Sequence, residues 1–317
     1  MRTILITCLL AVIATTSTAQ QRPIHSLYMF DPLIINPAYA GTQVQLSGTA
    51  IYRNQWVNFP GAPKTFTASA HSGFRNARVG VGFLAANDQI GIHDETSLHG
   101  IFSYKIPMSK FDNKSSFSFG LMGGFNNLKS DFTKLNPKDG TDPFAAQVQR
   151  DMSWSFGAGL LYHTPKFYAG FSVPYITGLS TPYVVIENNS YVGDIEKISY
   201  KTRYYYLTGG FTHQVSKNFK LIPSTLIRIQ EKAPLSFDLN LITVLYDVVG
   251  LGFSYRLDDS IVGMFELQIN ENFHVGYAYD FTTSDLRLYS NGTHEIMINY
   301  RVRINKIHKG LECPSYW

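Results

Sequence analysis

The sequence predicts an all-β protein: a transmembrane, antiparallel up-and-down β-barrel of about 14 strands, with long extracellular loops and short periplasmic turns. Three observations carry that prediction. The chain is poor in charge and rich in aromatic residues, its apolar residues recur with period two over stretches of about ten residues, and its connections alternate between long and short.

Of the 317 residues 16% are charged and 14% aromatic, with 22 Phe, 20 Tyr, 3 Trp and 25 Gly. Disorder requires the opposite balance. The formal net charge of +4 is scattered without a basic run, which argues against a nucleic-acid binder. Mean hydropathy is −0.07, and no stretch after Ala19 approaches the apolar length of a membrane-spanning helix.

Period two defines the strands. Met152, Trp154, Phe156, Ala158, Leu160 and Tyr162 form a dry face against Ser153, Ser155, Gly157, Gly159 and Leu161. Phe273, Val275, Tyr277, Tyr279 and Phe281 do the same against His274, Gly276, Ala278 and Asp280. Ile296, Ile298, Tyr300, Val302 and Ile304 alternate with Glu295, Met297, Asn299, Arg301 and Arg303. Trp154, Tyr277 and Tyr300 therefore point to lipid or its interface. Counted this way, strands fall at 43–53, 64–72, 77–87, 95–107, 115–126, 152–162, 166–174, 201–212, 219–230, 235–246, 248–256, 260–270, 272–281 and 293–305.

The long connections are Asn54–Pro63, Asn127–Asp151, Pro174–Lys201 and Thr282–Gly292, all on one side. Gly73–Asn76, His163–Pro165, Asp247 and Glu271 mark tight turns on the other. Transmembrane barrels have this asymmetry, with the long loops outside. A soluble β-sandwich also alternates. It does not need aromatic residues at both strand ends, and the Tyr316-Trp317 finish also favours a barrel.

The organisation expected is a signal peptide over 1–19, an N-terminal periplasmic extended segment over 20–42, the barrel over 43–306 and a C-terminal tail over 307–317. Met1-Arg2, the apolar run Ile4–Ala14 and Ser17-Thr18-Ala19 have the tripartite form of an export signal, with cleavage near Ala19. Export leaves Cys313 as the one cysteine of the mature chain, so the fold does not rely on disulfides.

Chemistry-bearing motifs are scarce. There is no Gly-x-Ser-x-Gly, His-Glu-x-x-His or Cys-x-x-Cys, and neither cofactor nor metal is expected. His93-Asp94-Glu95 falls in an expected outside loop and reads as solvated polarity. Asp139-Gly140-Thr141-Asp142 lacks the Glu that closes a calcium loop. Asp238, Asn240, Glu266, Gln268 and Asn270, with Arg228, Arg256, Arg301 and Arg303, occupy the wet face and are expected to pair across strands or line water.

Two blocks fit neither strand nor helix period. In Tyr28–Gly41, Pro32 and Pro37 fix φ and bias Asp31 and Asn36 to extended shapes, giving a stiff extended lead into the first strand. A second block, Arg53–Thr65, follows that strand. Phe30, Pro32, Asn36, Pro37, Ala38, Tyr39 and Gly41 of the first resemble the F-N-P-L-x-I-N-P-A-Y-A-G opening of the PorP/SprF outer-membrane proteins of the type IX secretion system. Gln55, Trp56, Gly61 and Pro63 of the second resemble that family's R-x-Q-W-V-G-x-x-G-A-P-x-T block. Asp31 stands where the family usually has Asn, and Asn58 where it usually has Gly. The Asn87–Gly91 turn, the His294–Met297 strand start and the Cys313-Pro314 ending are also similar.

The resemblance implies a non-enzymatic outer-membrane barrel needed for secretion or surface anchoring of proteins with C-terminal sorting domains, gliding adhesins among them. Its implied partners are outer-membrane lipid, such a secreted protein and other secretion components. The alternative is a passive channel or uptake barrel for small solutes. Loops on a rigid scaffold carry recognition, and aromatic residues anchor interfaces. The expected partner-binding residues are therefore Trp56, Phe59, Phe132, Phe144, Tyr183 and Tyr191, all in the long connections.

Overall fold

The computed structural model describes residues 24–43, 45–74, 78–108, 115–135, 147–177, 179–183, 198–230 and 233–302. The expected signal peptide, Phe144, Tyr191, the Asp139–Asp142 stretch, Cys313 and the C-terminal tail lie outside these residues.

Strands β1 (Leu46–Asn54), β2 (Lys64–Phe74), β3 (Val79–Ile90), β4 (His93–Pro107), β5 (Ser116–Asp131), β6 (Val148–His163) and β7 (Phe167–Val173) pair in chain order as antiparallel hairpins. β8 (Leu179–Tyr183) and β9 (Ile198–Thr202) make a separate two-stranded hairpin. β10 (Tyr204–Phe211) returns to pair with β7 and, after a break at Thr212, continues as β11 (His213–Ser216). β12 (Phe219–Gln230), β13 (Ser236–Leu245), β14 (Val249–Arg256), β15 (Ser260–Gln268), β16 (Phe273–Thr282) and β17 (Thr293–Val302) complete the wall. β10 and β11 both pair with β12 and act as one strand. β1 pairs with β17 from Leu46↔Val302 to Asn54↔His294, so the sheet closes as a barrel of 14 strands.

Each of the fourteen expected segments has its strand, but the ends differ. β5 and β6 stay in register from Asn127↔Met152 to Asp131↔Val148, so much of the expected Asn127–Asp151 loop is ladder. His93, Asp94 and Glu95 do not lie in a loop: they are strand residues paired with Ser130, Lys129 and Leu128. The expected Asn87–Gly91 turn is likewise strand as far as Ile90. The reason is a two-residue hairpin at Gly91-Ile92, where Gly91 takes φ +57°. Glycine at the first turn position supplies the positive φ that matches the twist of the flanking strands.

The wall is apolar outside and polar-to-mixed inside. Trp154, Tyr277, Tyr300, Leu160 and Ile298 are exposed, whereas Ser155, Asn299 and Glu295 are buried. The phase read from period two is the phase of the fold. Arginine at Ile298 is expected to cost about 2–4 kcal/mol if the site lies near the bilayer midplane, clearly more than alanine there. The temperature at which the compact barrel band is lost on a gel measures both. Equal losses would mean that Ile298 does not face hydrocarbon.

The N-terminal segment departs from expectation. It is not extended, and it does not lie beneath the barrel. Residues Ser26–Met29, Pro32–Ile34 and Pro37–Tyr39 form three short 3-10 turns. Asp31 and Asn36 are kept out of the helical region by the prolines that follow. Each proline then opens a turn at the position where its missing N–H costs nothing. Leu27, Tyr28, Met29, Leu33, Ile35, Ala38 and Tyr39 are buried. They touch the inner phase of strands on every side of the ring, so the segment fills the lumen.

Candidate functional site

One barrel mouth receives the C-terminal end of β1 and the long connections. The lumen segment starts near this mouth. Glu295, paired with Arg53 close to the end of β1, accepts the backbone N–H groups of Ser26 at 2.7 Å and Leu27 at 3.0 Å. Ser26 Oγ donates to Asp280 at 2.8 Å and accepts from Arg53 Nη1 at 3.1 Å. Arg53 bridges Asp280 at 2.9 Å and Glu295, and Arg256 lies between Asp238, at 3.1 Å, and Asp280. Two arginines and three carboxylates, all nearly free of solvent, thus form one chain across the end of the first turn. Paired and hydrogen-bonded, such charges hold one geometry; separated, each would be a buried lone charge. Of the wet-face acids and arginines expected to pair, Asp238 and Arg256 do so here; Glu266 faces His274, Arg228 donates to Ser236 and Arg301 to Asn299, and Arg303 lies outside the described residues.

Further down, Tyr28 Oη accepts from Asn240 at 2.7 Å, Asp31 accepts from Ser69 at 2.5 Å, and the Ile35 carbonyl accepts from Ser172 at 2.5 Å. Asn36 accepts from the Ala38 N–H at 2.9 Å and donates to the Leu160 carbonyl at 3.0 Å. Near the opposite mouth the Ala40 carbonyl accepts from Ser103 at 2.5 Å, and Gly41 donates to His71 Nδ1 at 3.2 Å. The segment therefore runs the length of the lumen.

The wall is shaped to receive it. A Cβ on Gly80, Gly120 or Gly159 would sit 2.1–2.2 Å from Ala40 O, Ala38 N or Asn36 Oδ1 respectively. Real Cβ atoms do not approach so closely, so glycine on the inner phase lets the segment lie against the strands. Opposite this cradle the inner wall is apolar. Leu226, Ile242, Val262, Met264 and Met297 are buried in one cluster with Leu27, Met29, Leu33 and Ile35. This interior is a packed core.

The second feature is the rim of the long-connection mouth. Val57 donates to the Gly292 carbonyl at 2.9 Å and accepts from Asn291 at 2.9 Å. The Gly91 N–H donates to Gly61 at 3.0 Å, Asp131 to Ile92 at 2.9 Å, and Phe132 to Gln147 at 3.1 Å. Backbone bonds thus join four connections into one seam. In it Trp56 and Asn58 take φ +47° and +72°; asparagine tolerates this left-handed conformation, whereas a bulky side chain such as Trp56 adopts it only when the surroundings hold it. Phe59 is exposed, Trp56 and Phe132 are half-buried, and Tyr183 lies on the separate hairpin. Trp56, Phe59 and Phe132 are brought to one seam. Sequence reasoning missed Leu288 and Tyr289 beside it, the most exposed large side chains there at 74% and 68%. Their signal was their place in the long Thr282–Gly292 connection.

Residues 17–300 match the family described as type IX secretion system membrane protein PorP/SprF. The chain belongs to the PorP/SprF family. The seven motif residues from Phe30 to Gly41 are the lumen segment, and Gln55, Trp56, Gly61 and Pro63 are the rim loop that follows β1. No curated protein matches the chain by sequence. Among solved structures, the CymD monoaromatic hydrocarbon channel is 15% identical, with TM-score 0.53, covering 93% of this chain and 98% of the other. The Ralstonia pickettii toluene transporter TbuX is 11% identical at TM-score 0.47, covering 92% and 97%. A Pseudomonas aeruginosa FadL homologue is 12% identical at TM-score 0.44, covering 92% and 96%. The likeness to CymD shows the shared barrel fold and nothing about cargo. The family and the fold together make this an outer-membrane β-barrel of type IX secretion.

Proposed function

We propose that this PorP/SprF barrel is a non-enzymatic holder that retains a secreted protein with a C-terminal sorting domain, such as a gliding adhesin, during its secretion or anchoring at the cell surface. The observation that carries this reading is the filled lumen. A passive solute channel needs a passage, whereas here the leading segment and an apolar core occupy the interior. What remains for recognition is the rim. On this reading the long-connection mouth faces the exterior, and Trp56 and Phe59 are contact residues on a loop already fixed by its hydrogen bonds. A preorganised loop loses little entropy on binding.

Replacing Trp56 and Phe59 together by alanine tests it. Alanine keeps the backbone preferences of an L residue, so the loop is not relaxed as glycine would relax it. Barrel formation should persist, while surface retention of sorting-domain proteins should fall tenfold or more, since the loss of even one modest interface anchor is worth about 1.4 kcal/mol and two are removed. Normal retention in folded barrels would overturn the reading.

A further inference from the structure

We infer that the first turn of the lumen segment, Ser26–Met29, positions the rim from inside the barrel, so that a retained partner and a seated turn favour one another; this rests on the holder function proposed above. The seam around Trp56 joins two hairpin tips. One is the Asn54–Pro63 connection between β1 and β2, and the other is the Thr282–Gly292 connection between β16 and β17. They meet through Val57 with Gly292 and Asn291, and through the Trp56 N–H, which donates to Thr293 Oγ1 at 3.1 Å.

Below the rim the same two hairpins are tied a second time, by the turn. β2, β1, β17 and β16 are consecutive in the wall. His25, which precedes the turn, has Nε2 at 2.7 Å from Thr67 Oγ1 on β2. Arg53 on β1 donates to Ser26 Oγ, Glu295 on β17 accepts the N–H groups of Ser26 and Leu27, and Ser26 Oγ donates to Asp280 on β16. The start of the segment therefore bonds to all four strands. Its anchors are close to the rim: Arg53 is three residues before Trp56, Glu295 is two after Thr293, and Asp280 is paired with Thr293.

Trp56 holds its strained φ through a bond to Thr293, on the strand that Glu295 ties to the turn. With the turn seated, the two hairpin ends are fixed from inside as well as by the wall ladder. With its bonds broken, the ladder alone sets their spacing, and the rim has more conformations to lose on binding. Linkage makes the effect mutual. The factor by which a seated turn raises partner affinity is the factor by which a bound partner favours seating.

Ser26→Ala tests one direction. It removes the hydroxyl between Arg53 and Asp280 and leaves the two N–H bonds to Glu295 in place. Ser103→Ala is the control, since it also removes a buried hydroxyl tie to the segment, at the Ala40 carbonyl near the opposite mouth. Retention of sorting-domain proteins should fall about tenfold in Ser26→Ala, within the range of about 5–150-fold usual for coupled sites. It should stay near the wild-type level in Ser103→Ala. Hydrogen exchange on the wild-type barrel tests the other direction. A purified sorting domain from a retained protein should slow exchange of the Ser26 and Leu27 amides about tenfold, because these amides exchange when the turn opens.

Wild-type retention in Ser26→Ala, with loss in the Trp56/Phe59 double variant, overturns the positioning role and leaves the rim reading standing, whatever the exchange shows. Wild-type retention in all the variants overturns both. Equal loss in Ser26→Ala and Ser103→Ala assigns the effect to the segment's general hold on the wall and overturns the positioning role. So does loss in Ser26→Ala without slowed exchange in the wild type. If Ser26→Ala gives no heat-resistant barrel, the wild-type exchange decides alone, and unchanged rates at both amides overturn the proposal.

Discussion

Valine at Gly120 should push residues 37 and 38 off the inner wall and lower barrel stability by about 3 kcal/mol, the upper end for overpacking a tight interior. The new Cβ would meet Ala38 N at 2.2 Å and Pro37 C at 2.3 Å, backbone atoms that cannot swing aside. The wall itself tolerates valine, a good strand residue. Gly263 provides the comparison: it lies on the outer face with nothing within 4 Å of its Cβ position. Gly263→Val should be close to neutral. The same pair separates a plugged barrel from a pore in planar bilayers, where Gly120→Val should show channel openings that the wild type and Gly263→Val lack. Equal stability and equal silence in the two variants would mean that the segment is not what closes the lumen.

Removing Glu295 should have a comparable effect by a different route. Glu295→Ala leaves the N–H groups of Ser26 and Leu27 unbonded and strips Arg53 of one of its two carboxylates. Breaking one side of a buried pair costs about 3–5 kcal/mol, largely because the surviving charge stays buried. Arg53→Met combined with Glu295→Leu removes both charges, and its loss should be well below the sum of the single changes. Thermal loss of the compact barrel band measures the cycle. Additive losses would show that the two groups do not act as a pair.

The sequence made the wall legible because a strand with one face on lipid and the other inward must alternate, and Met152–Tyr162 and Glu295–Val302 alternate without a break. Strand ends were less legible: nothing in period two reveals that Leu128–Asp131 stays paired with Val148–Asp151 beyond the barrel's average strand length. The lumen segment was misread because prolines say where φ is fixed, not whether the chain then extends or turns. Its destination left two traces in the wet-face residues. Gly120 and Gly159 on the inner phase make room for another backbone. Leu161 and Met297 on that phase are residues that water would not favour. The rim was legible by composition in Trp56, Phe59 and Phe132. The seam joining them was not, since backbone bonds between connections carry no sequence signature.

The lumen segment also bears on the order in which the barrel can assemble. Its C-terminal part, from Ile35 to Gly41, touches β2 and β4–β7, strands made early. Its first turn binds Asp280 and Glu295 on β16 and β17, made last, with Ser26 and Glu295 separated by 269 positions. Joining points that far apart in one step carries an entropic penalty that grows with the logarithm of the separation. A segment already seated on the early strands divides that search, because its free end waits beside β1 when β17 arrives. The chain's own leader would then serve as a mandrel, around which the sheet is wound and by which its first and last strands are brought into register.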